Sequence, residues 1–351
     1  MDPLPTNSAV APIRVGILGG AGYTGGELLR ILLAHPRVVV AAVSSSTFPG
    51  QPLHAAHPHL RGRSRLAFVP ELEPRGLDAV FLAGSHGEAM ARVPALLQAR
   101  PDLRLVDLSG DFRLRDAALY PLWYQRVHSA PALLADFVYG QPELDRAAVA
   151  RARRIANPGC FATAVELALG PLARAGVAGT ARVVAVTGSS GSGAKPSSTT
   201  HHPTRAANVH AYKPLAHQHV PEIEQFLDRL AGKPSLDVAL VPVSGPLVRG
   251  IYAVCQLDLP AGWDIARVTG CFRSAFEGCA FVHLLDDAPD LNAVAGSNDV
   301  HISLSVRDGQ LAVISALDNL VKGASGQAVQ NLNVMMGWDE AEGLRFSAVY
   351  P

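Results

Sequence analysis

IRVGILGGAGYTGGELLRILL, residues 13–33, places a short apolar run directly before a glycine cluster and a leucine-rich segment. Within it, Gly16, Gly19 and Gly22 have the spacing GxxGxxG, which differs from the usual GxGxxG of dinucleotide-binding turns. The pattern predicts a strand, a tight turn and a helix whose first backbone amides can face a pyrophosphate. A second apolar run, residues 38–43, completes the βαβ unit that such a turn requires.

This unit is therefore predicted to bind a dinucleotide, with a glycine turn that holds no ligand as the alternative. After the second run, the hydroxyl residues 44–47 stand where an acidic residue would hold a ribose 2′-hydroxyl. Hydroxyl groups suit a 2′-phosphate better, so we predict NADP as the cofactor; the alternative is an ordinary polar loop. The expected cofactor contacts in this unit are Gly19, Gly20, Ala21, Gly22, Tyr23, Thr24, Ser44 and Ser46.

Apolar runs continue to alternate with helical segments along the first half of the chain. Runs at 79–82 and 103–108 lead into AGSHG and SGDFRL, and a helix is predicted for residues 88–98. Such alternation is typical of a doubly wound parallel α/β sheet. The length of 351 residues allows about two domains at roughly 150 residues each.

Charge and composition exclude several classes of protein. Thirty Lys and Arg residues balance thirty Asp and Glu residues, which argues against nucleic acid or a membrane surface as the main partner. No run approaches the ~18 apolar residues of a membrane span, and MDPLPTNSAVAPIR lacks the apolar core of a signal peptide. Four unevenly spaced cysteines predict neither a disulfide framework nor a zinc ribbon. We expect a cytoplasmic protein in a reducing compartment.

RIANPGCFAT, residues 154–163, places a cysteine at the start of a predicted apolar helix, 162–173. Unpaired amides and the helix dipole stabilise a thiolate at such a position. An ordinary thiol is largely protonated at neutral pH, so this placement would favour a nucleophile. Cys160 is thus a candidate catalytic residue, with a structural role as the alternative. The remaining cysteines lie in apolar stretches and are predicted to pack in the core: Cys255, Cys271 and Cys279.

Residues 167–221 contain no Asp or Glu, which favours an anionic substrate nearby. His217 and His219 stand just before a predicted helix, where either could act as an acid or a base. Metal binding by this pair, or by the histidines of residues 54–59, is the weaker alternative because zinc sites usually show a fuller ligand set. We therefore predict no metal site. The basic residues and histidines of the segment are Arg174, Arg182, Lys195, Arg205, Lys213, His201, His202, His210, His217 and His219.

Eight motifs, taken in chain order from about residue 14, resemble one known family. They are GGAGYTGGEL, DLSGDFRL, NPGCFAT, TGSSGSGAKP, HQHVPEIEQ, RGI, GSND and DNLVKGASGQAVQNLNVMMGW. The series resembles the N-acetyl-γ-glutamyl-phosphate reductases of arginine biosynthesis, within the semialdehyde dehydrogenase superfamily. The resemblance implies an NADP-binding Rossmann domain (1–157), an α+β catalytic and dimerisation domain with a mixed sheet (158–324), and a C-terminal helix and tail (325–351) that return to the first domain. It also implies a homo-oligomer, dimer or tetramer.

The resemblance assigns roles to individual residues. The family's nucleophile falls on Cys160, and its histidine pair falls on His217 and His219. Arg113, in the DFR motif, and Arg249, in RGI, become candidates for binding the substrate phosphate or carboxylate. Further cofactor contacts are expected in the loop 84–87 and at Ser189, Gly191 and Asn319.

The activity implied is NADPH-dependent reductive dephosphorylation of N-acetyl-γ-glutamyl phosphate to N-acetylglutamate 5-semialdehyde through a cysteine thioester. SSTTHHPTRAANVHAYKP also resembles the branch that reduces an aminoadipyl phosphate attached to an amino-group carrier protein in lysine biosynthesis. A carrier-linked aminoadipyl or glutamyl phosphate, or an N-succinyl substrate, is therefore an alternative. An NADP-sensing regulatory protein without turnover and a cysteine hydrolase are alternatives of other classes. For a carrier, a basic rim could come from Arg61, Arg63 and Arg65.

Overall fold

A computed structural model describes residues 11–350 of the chain. The first ten residues of the predicted first domain, most of the N-terminal segment in which no signal peptide is expected, and Pro351 lie outside the described residues. None of the helices in the described part of the chain is both long and apolar enough to cross a bilayer.

The first half of the chain forms a six-stranded sheet in which all neighbouring strands are parallel. Its strands are buried apolar runs because helices cover both faces. The strand order β2-β1-β3-β4-β6-β5 confirms the predicted doubly wound α/β fold. The strands are β1 (Ile13–Leu18), β2 (Val38–Val43), β3 (Ala79–Leu82), β4 (Arg104–Asp107), β5 (Val138–Tyr139) and β6 (Arg154–Ala156), with helices α1 (Tyr23–Leu32), α2 (Glu88–Ala99), α3 (Leu119–Trp123) and α4 (Pro142–Arg151).

A seven-stranded mixed sheet follows, in the order β11-β12-β13-β10-β7-β9-β8. The pairs β7–β9 and β11–β12 are parallel, and the others are antiparallel. Alternate residues of its long strands are buried because α5, α7 and α8 pack on one face. The elements are α5 (Cys160–Arg174), β7 (Gly179–Thr187), α6 (His202–Arg205), β8 (His210–Ala211), α7 (Val220–Ala231), β9 (Leu236–Ser244), β10 (Ile251–Asp258), α8 (Ile265–Phe276), β11 (Val282–Leu285), β12 (Val300–Arg307) and β13 (Gln310–Leu317).

After β13 the chain returns to the first sheet. A single π-helical turn, Val321–Ser325, leads into α9, Gly326–Met335, and every residue of α9 is buried. The helix packs against α1, α4 and β4, so its side chains complete the core on one face of the first sheet. Short 3₁₀ helices occur at Leu53–Ala55, Pro58–Leu60, Pro131–Asp136, Ser189–Ser192 and Leu291–Ala293.

Strand order reverses between β1 and β3, and this reversal positions the site. In open α/β sheets, ligands bind in the crevice outside the carboxyl ends of the strands at such a point. The loops after β1 and β3 touch there, since a Cβ atom at Gly19 would lie 2.7 Å from the backbone of Gly84. Residue Asn157 and a Pro-Gly pair join β6 directly to α5. The cysteine that begins α5 therefore lies at the same edge of the sheet.

Candidate active site

A cleft of about 1900 Å³ opens at the carboxyl edge of the first sheet and reaches the second sheet. Its walls are the loops that follow β1, β2, β3, β4 and β6, together with the segment after β7 and the π-helical turn. The glycine turn, Cys160, Arg113 and both histidines of the 217–219 pair thus line a single cavity. Motifs that are far apart in sequence are brought together because their strands end at one edge.

The glycine turn fits a bound dinucleotide. Gly22 precedes the first residue of α1, no side chain caps that helix, and its first turn carries no acidic residue. Gly19 has φ of +75°, and a Cβ atom at Gly25 would lie 2.4 Å from the carbonyl oxygen of Gly20. Only glycine allows this approach, which leaves the amides at the start of α1 free to hold a pyrophosphate. The Nε2 of His57 lies 2.7 Å from the Gly20 carbonyl oxygen and can donate to it, so this histidine supports the turn.

In the hydroxyl-rich loop after β2, the side chain of Ser45 stabilises the backbone of the loop. The Ser45 hydroxyl accepts the amides of Thr47 and Phe48, both at 3.2 Å. The Ser44 hydroxyl lies 3.4 Å from the Gly19 amide, and Ser46 is exposed on the cleft wall. Ser44 and Ser46 are thus placed to meet a cofactor, and their role stays a prediction.

The remaining cofactor residues expected from the sequence fall in two groups. Asn319 and Gly191 line the cleft, and the Asn319 side chain is fixed by the Ser190 hydroxyl and the Gly250 amide. Ser189 is not part of the cleft wall; its amide donates to the Leu247 carbonyl oxygen. Gly20 is also outside the wall. Those that line the wall are Gly19, Ala21, Gly22, Tyr23, Thr24, Ser44, Ser46, Gly191 and Asn319.

Cys160 is the first residue of α5 and is half-buried at the cleft. A Cβ atom at Gly323 of the π-helical turn would lie 2.9 Å from the Cys160 Cβ, so glycine is required there. Withdrawal from water raises the pKa of Cys160 to about 11, although the positive charge of Arg113 acts in the opposite direction. Burial and the helix end act on this thiol in opposite directions, and the stabilised thiolate expected from the sequence stays a prediction.

Arg113 is the fixed positive charge of the site. Its side chain is only 5% exposed, with Nε 2.8 Å from the Asn157 carbonyl oxygen and 3.4 Å from Oε2 of Glu222. Burial lowers the pKa of Arg113, but Glu222 and other nearby groups raise it above its ordinary value overall. The guanidinium also donates to the Leu108 carbonyl oxygen. These contacts hold a permanent charge beside the start of α5.

His219 and Glu222 face the same turn of the chain. A Cβ atom at Gly159 would lie 2.3 Å from Nε2 of His219 and 2.5 Å from Oε1 of Glu222. Glu222 accepts the Gly159 amide at 3.2 Å, and the His219 Nε2 lies 3.5 Å from NH1 of Arg113. Glu222 is a site residue that sequence reasoning missed. Its position three residues after His219, in the first turn of α7, could have revealed it.

Both histidines of the pair are neutral at neutral pH. Burial strongly lowers the pKa of His219, and the charges of His217 and Arg113 lower it further. Burial and the charge of Lys213 lower the pKa of His217 to about 4. The His217 Nδ1 accepts the backbone amide of His219 at 3.2 Å, so its proton lies on Nε2. Burial raises the pKa of Glu222 to about 7, against the pull of Arg113.

Arg249 does not reach the cleft, so the expectation that it binds substrate is not supported by its position. Its NH2 lies 2.7 Å from Oε2 of Glu27 on α1, and its NH1 lies 3.3 Å from Oδ2 of Asp318, just before the π-helical turn. Both carboxylates are buried. Arg249 is bound by two acids and ties the second sheet to α1.

Replacing Arg249 by methionine should lower the free energy of unfolding by about 2 kcal/mol, because two buried carboxylates lose a charged partner. Urea denaturation measures the change. Arg307→Met is the matched control, since Arg307 is 92% exposed beside Asp308 and its loss should leave stability unchanged. A stable Arg249→Met protein with a raised substrate KM would instead restore the substrate-binding role.

The remaining sequence candidates lie apart from the cleft. Arg61, Arg63 and Arg65 are exposed and do not belong to its wall. Within residues 11–350, no group of three or more His, Cys, Asp or Glu side chains is arranged to hold a metal ion.

Comparisons with known proteins agree with this geometry. The model of the semialdehyde dehydrogenase NAD-binding domain matches residues 14–152, and that of the semialdehyde dehydrogenase dimerisation domain matches residues 160–319. The chain therefore belongs to the semialdehyde dehydrogenase family, an oxidoreductase family, as the motifs indicate. Aspartate semialdehyde dehydrogenase II of Vibrio cholerae has the same fold, with a TM-score of 0.72 and 16% identity over 93% of this chain and 99% of that chain.

The relatives of this chain with the higher sequence identities are phosphate reductases of amino-acid biosynthesis. N-acetyl-gamma-glutamyl-phosphate reductase of Symbiobacterium thermophilum is 42% identical over 350 residues, 97% of this chain and 99% of the relative. [LysW]-L-2-aminoadipate 6-phosphate reductase of Deinococcus radiodurans is 40% identical over 347 residues, 96% of this chain and 98% of the relative. Similarity at this level supports reductive dephosphorylation and does not separate the two substrates.

Proposed function

We propose that this chain reduces an acyl phosphate of an amino-blocked glutamate or 2-aminoadipate to the semialdehyde, with NADPH, through a thioester at Cys160. The observation that carries the proposal is that the glycine turn, Cys160 and the buried Arg113 line one cleft. A hydrolase would have no use for the glycine turn. A cofactor sensor would not require a cysteine beside a fixed charge and a histidine pair.

The first step forms the thioester. His219 lies against Gly159, the residue before Cys160, and its neutral ring passes the thiol proton to the departing phosphate. The sulfur of Cys160 then forms a bond to the acyl carbon, and the bond from that carbon to the phosphate oxygen breaks. Arg113 stabilises the negative charge that develops on the oxygens. Because the thiol pKa is about 11 before substrate binds, proton transfer and attack are coupled.

The second step reduces the thioester. NADPH, when bound at the glycine turn, supplies a hydride. A solvent proton, delivered by the histidine pair, joins the thiohemiacetal oxygen as the hydride adds. When the carbon–sulfur bond breaks, the pair moves that proton from the oxygen to the sulfur, and the semialdehyde leaves. We propose NADP rather than NAD because Ser46 and Thr47 face the cleft where an acidic residue would repel a 2′-phosphate.

The amino-blocking group is, we propose, a carrier protein. Residues 192–213, here named the flap, contribute exposed residues to the cleft wall and contain no acidic residue. Lys195 and Lys213 are exposed on it, and Arg205 anchors it by a bond to the Thr187 carbonyl oxygen. A rim of one sign favours a macromolecule of the opposite sign. Several of the relatives, including the Deinococcus protein, bear names that link their substrate to [LysW].

N-acetyl-γ-glutamyl phosphate is the second candidate. The overall motif series and the Symbiobacterium relative favour it. Either substrate brings both a phosphate and an α-carboxylate, because the carrier is attached through the amino group, so either would require two cationic partners. Arg113 is one, but Arg249 is held away by Glu27 and Asp318. The position of Arg249 does not separate the two substrates, and the basic flap is the reason for preferring the carrier-linked form.

The deciding experiment measures kcat/KM in the oxidative direction for free N-acetylglutamate semialdehyde and for carrier-bound aminoadipate semialdehyde. We expect the carrier form to be preferred by more than about a thousandfold, beyond the ~1–3 kcal/mol, or about 200-fold at most, that one methylene supplies. Lys195→Glu should lower kcat/KM for the carrier form about fivefold more than for the free form. Lys233→Glu, at an exposed position outside the cleft, should change neither value. Equal or reversed preference would establish the N-acetyl substrate.

A further inference from the structure

His86, in the loop between β3 and α2, brings an unused donor to the cleft. Its Nδ1 accepts the backbone amide of Gly110 at 2.9 Å. A neutral imidazole has one acceptor and one donor nitrogen, so this bond places the proton on Nε2. The ring meets Tyr124 edge to face with centroids 5.3 Å apart, which fixes its direction. Within residues 11–350 the Nε2–H of His86 makes no hydrogen bond.

Positive charge surrounds this donor. The protein around the ring and the charge of Arg113 lower the pKa of His86, Arg126 and Lys213 act in the same direction, and Asp111 opposes them. Arg126 lies against the loop, since a Cβ atom at Gly87 would come within 2.3 Å of its NH1. The ring therefore stays neutral at neutral pH. A neutral N–H donor among cations is suited to an anionic ligand, not to a cation.

The helix end beside His86 cannot be the anion site. The amides of Gly87 and Met90, at the start of α2, already donate to the carboxylate of Asp111 at 2.8–3.0 Å. An anion at this place must therefore be held by side chains. Of the three cations whose charges act on the His86 ring, Arg113 and Lys213 line the cleft wall together with it.

We propose that the Nε2–H of His86, with Arg113 and Lys213, binds the phosphate group of the substrate. The inference rests on the proposed function. In the forward direction, the carbon–oxygen bond breaks as Cys160 attacks, and its electron pair leaves with the phosphate that these residues hold. In the reverse direction, an oxygen of bound inorganic phosphate forms a bond to the thioester carbon, and the thiolate leaves. The loop 84–87, expected from the sequence to contact the cofactor, would thus also bind the phosphate of the substrate.

Two substitutions distinguish the contributions of the two ring nitrogens of His86. His86→Asn places an amide near the position of Nδ1 and removes the Nε2 donor, whereas His86→Gln places an amide nitrogen near Nε2. The assay is reduction of NADP by semialdehyde with varied inorganic phosphate. We expect His86→Asn to raise the KM for phosphate at least about tenfold, as for a lost hydrogen bond to a charged group, with kcat and the KM for NADP within about threefold of wild type. His86→Gln should recover most of the phosphate affinity.

The outcomes are distinguishable. A KM for phosphate that is unchanged in His86→Asn, or a rise confined to the KM for NADP, overturns the inference and makes His86 a structural or cofactor residue. Equal losses in both variants also overturn it, because only the ring's anchoring would then matter. His59→Asn, at an exposed position outside both the flap and the cleft wall, is the control and should match wild type. A wild-type protein without phosphate-dependent turnover would instead contradict the proposed function itself.

Discussion

Replacing Cys160 by serine should lower the rate of NADP reduction by semialdehyde at least about 1,000-fold, because the covalent intermediate cannot form. The dissociation constant for NADPH should stay within about twofold, since the glycine turn belongs to different loops of the cleft. Steady-state kinetics and NADPH fluorescence titration measure the two quantities.

Cys271→Ser is the matched control for this substitution. Cys271 lies on α8, outside the cleft wall, and its loss should leave turnover unchanged. Turnover retained in Cys160→Ser would contradict the thioester mechanism and would favour direct reduction or another nucleophile.

Replacing Arg113 by methionine should lower kcat/KM about 100- to 1,000-fold, because the charge that stabilises the developing oxyanion is lost. The same change should raise the pKa of Cys160 further, since Arg113 is the charge that opposes its burial. Alkylation by iodoacetamide rises with pH about tenfold per unit below the thiol pKa. At any pH between 7 and 10, the variant should therefore react more slowly than wild type.

A lone Arg113→Met leaves Glu222 buried without its partner, so the double variant Arg113→Met, Glu222→Gln keeps the test independent of folding. It should show the same slow alkylation, because the arginine has the larger effect on the thiol. Alkylation of wild type that levels off below pH 8 would mean that the thiolate is already formed, contrary to the environment of Cys160.

The first sheet was the most predictable part of the molecule. The apolar runs at 38–43 and 79–82 become β2 and β3 with the same bounds. The run 103–108 shortens by one residue at each end, and the helix expected at 88–98 gains one residue. These strands are buried on both faces, so each appears in the sequence as a continuous hydrophobic run that predicts its position. The cysteine helix begins two residues earlier than its apolar run, because its first turn forms the edge of the cleft.

The site was less predictable where tertiary contacts decide the outcome. A helix start can be read locally, but the burial that raises the pKa of Cys160 depends on Gly323 and on loops that are distant in sequence. The RGI motif made Arg249 a candidate for substrate binding. Only the fold shows that this side chain is paired with Glu27 and Asp318. His86 carries no local signal of its role, since its donor is defined by a bond to Gly110.

The burial of α9 has a consequence for synthesis on the ribosome. The last strand of the first sheet ends at Ala156, but the helix that covers one face of that sheet ends at Met335, about 180 residues later. At about 5–20 residues per second, the nascent first sheet waits roughly 10 to 35 s for its cover. During that interval the apolar faces of α1 and β4 that α9 covers are open to solvent or to a chaperone. The core of the first sheet is thus completed only after α9 has been synthesised.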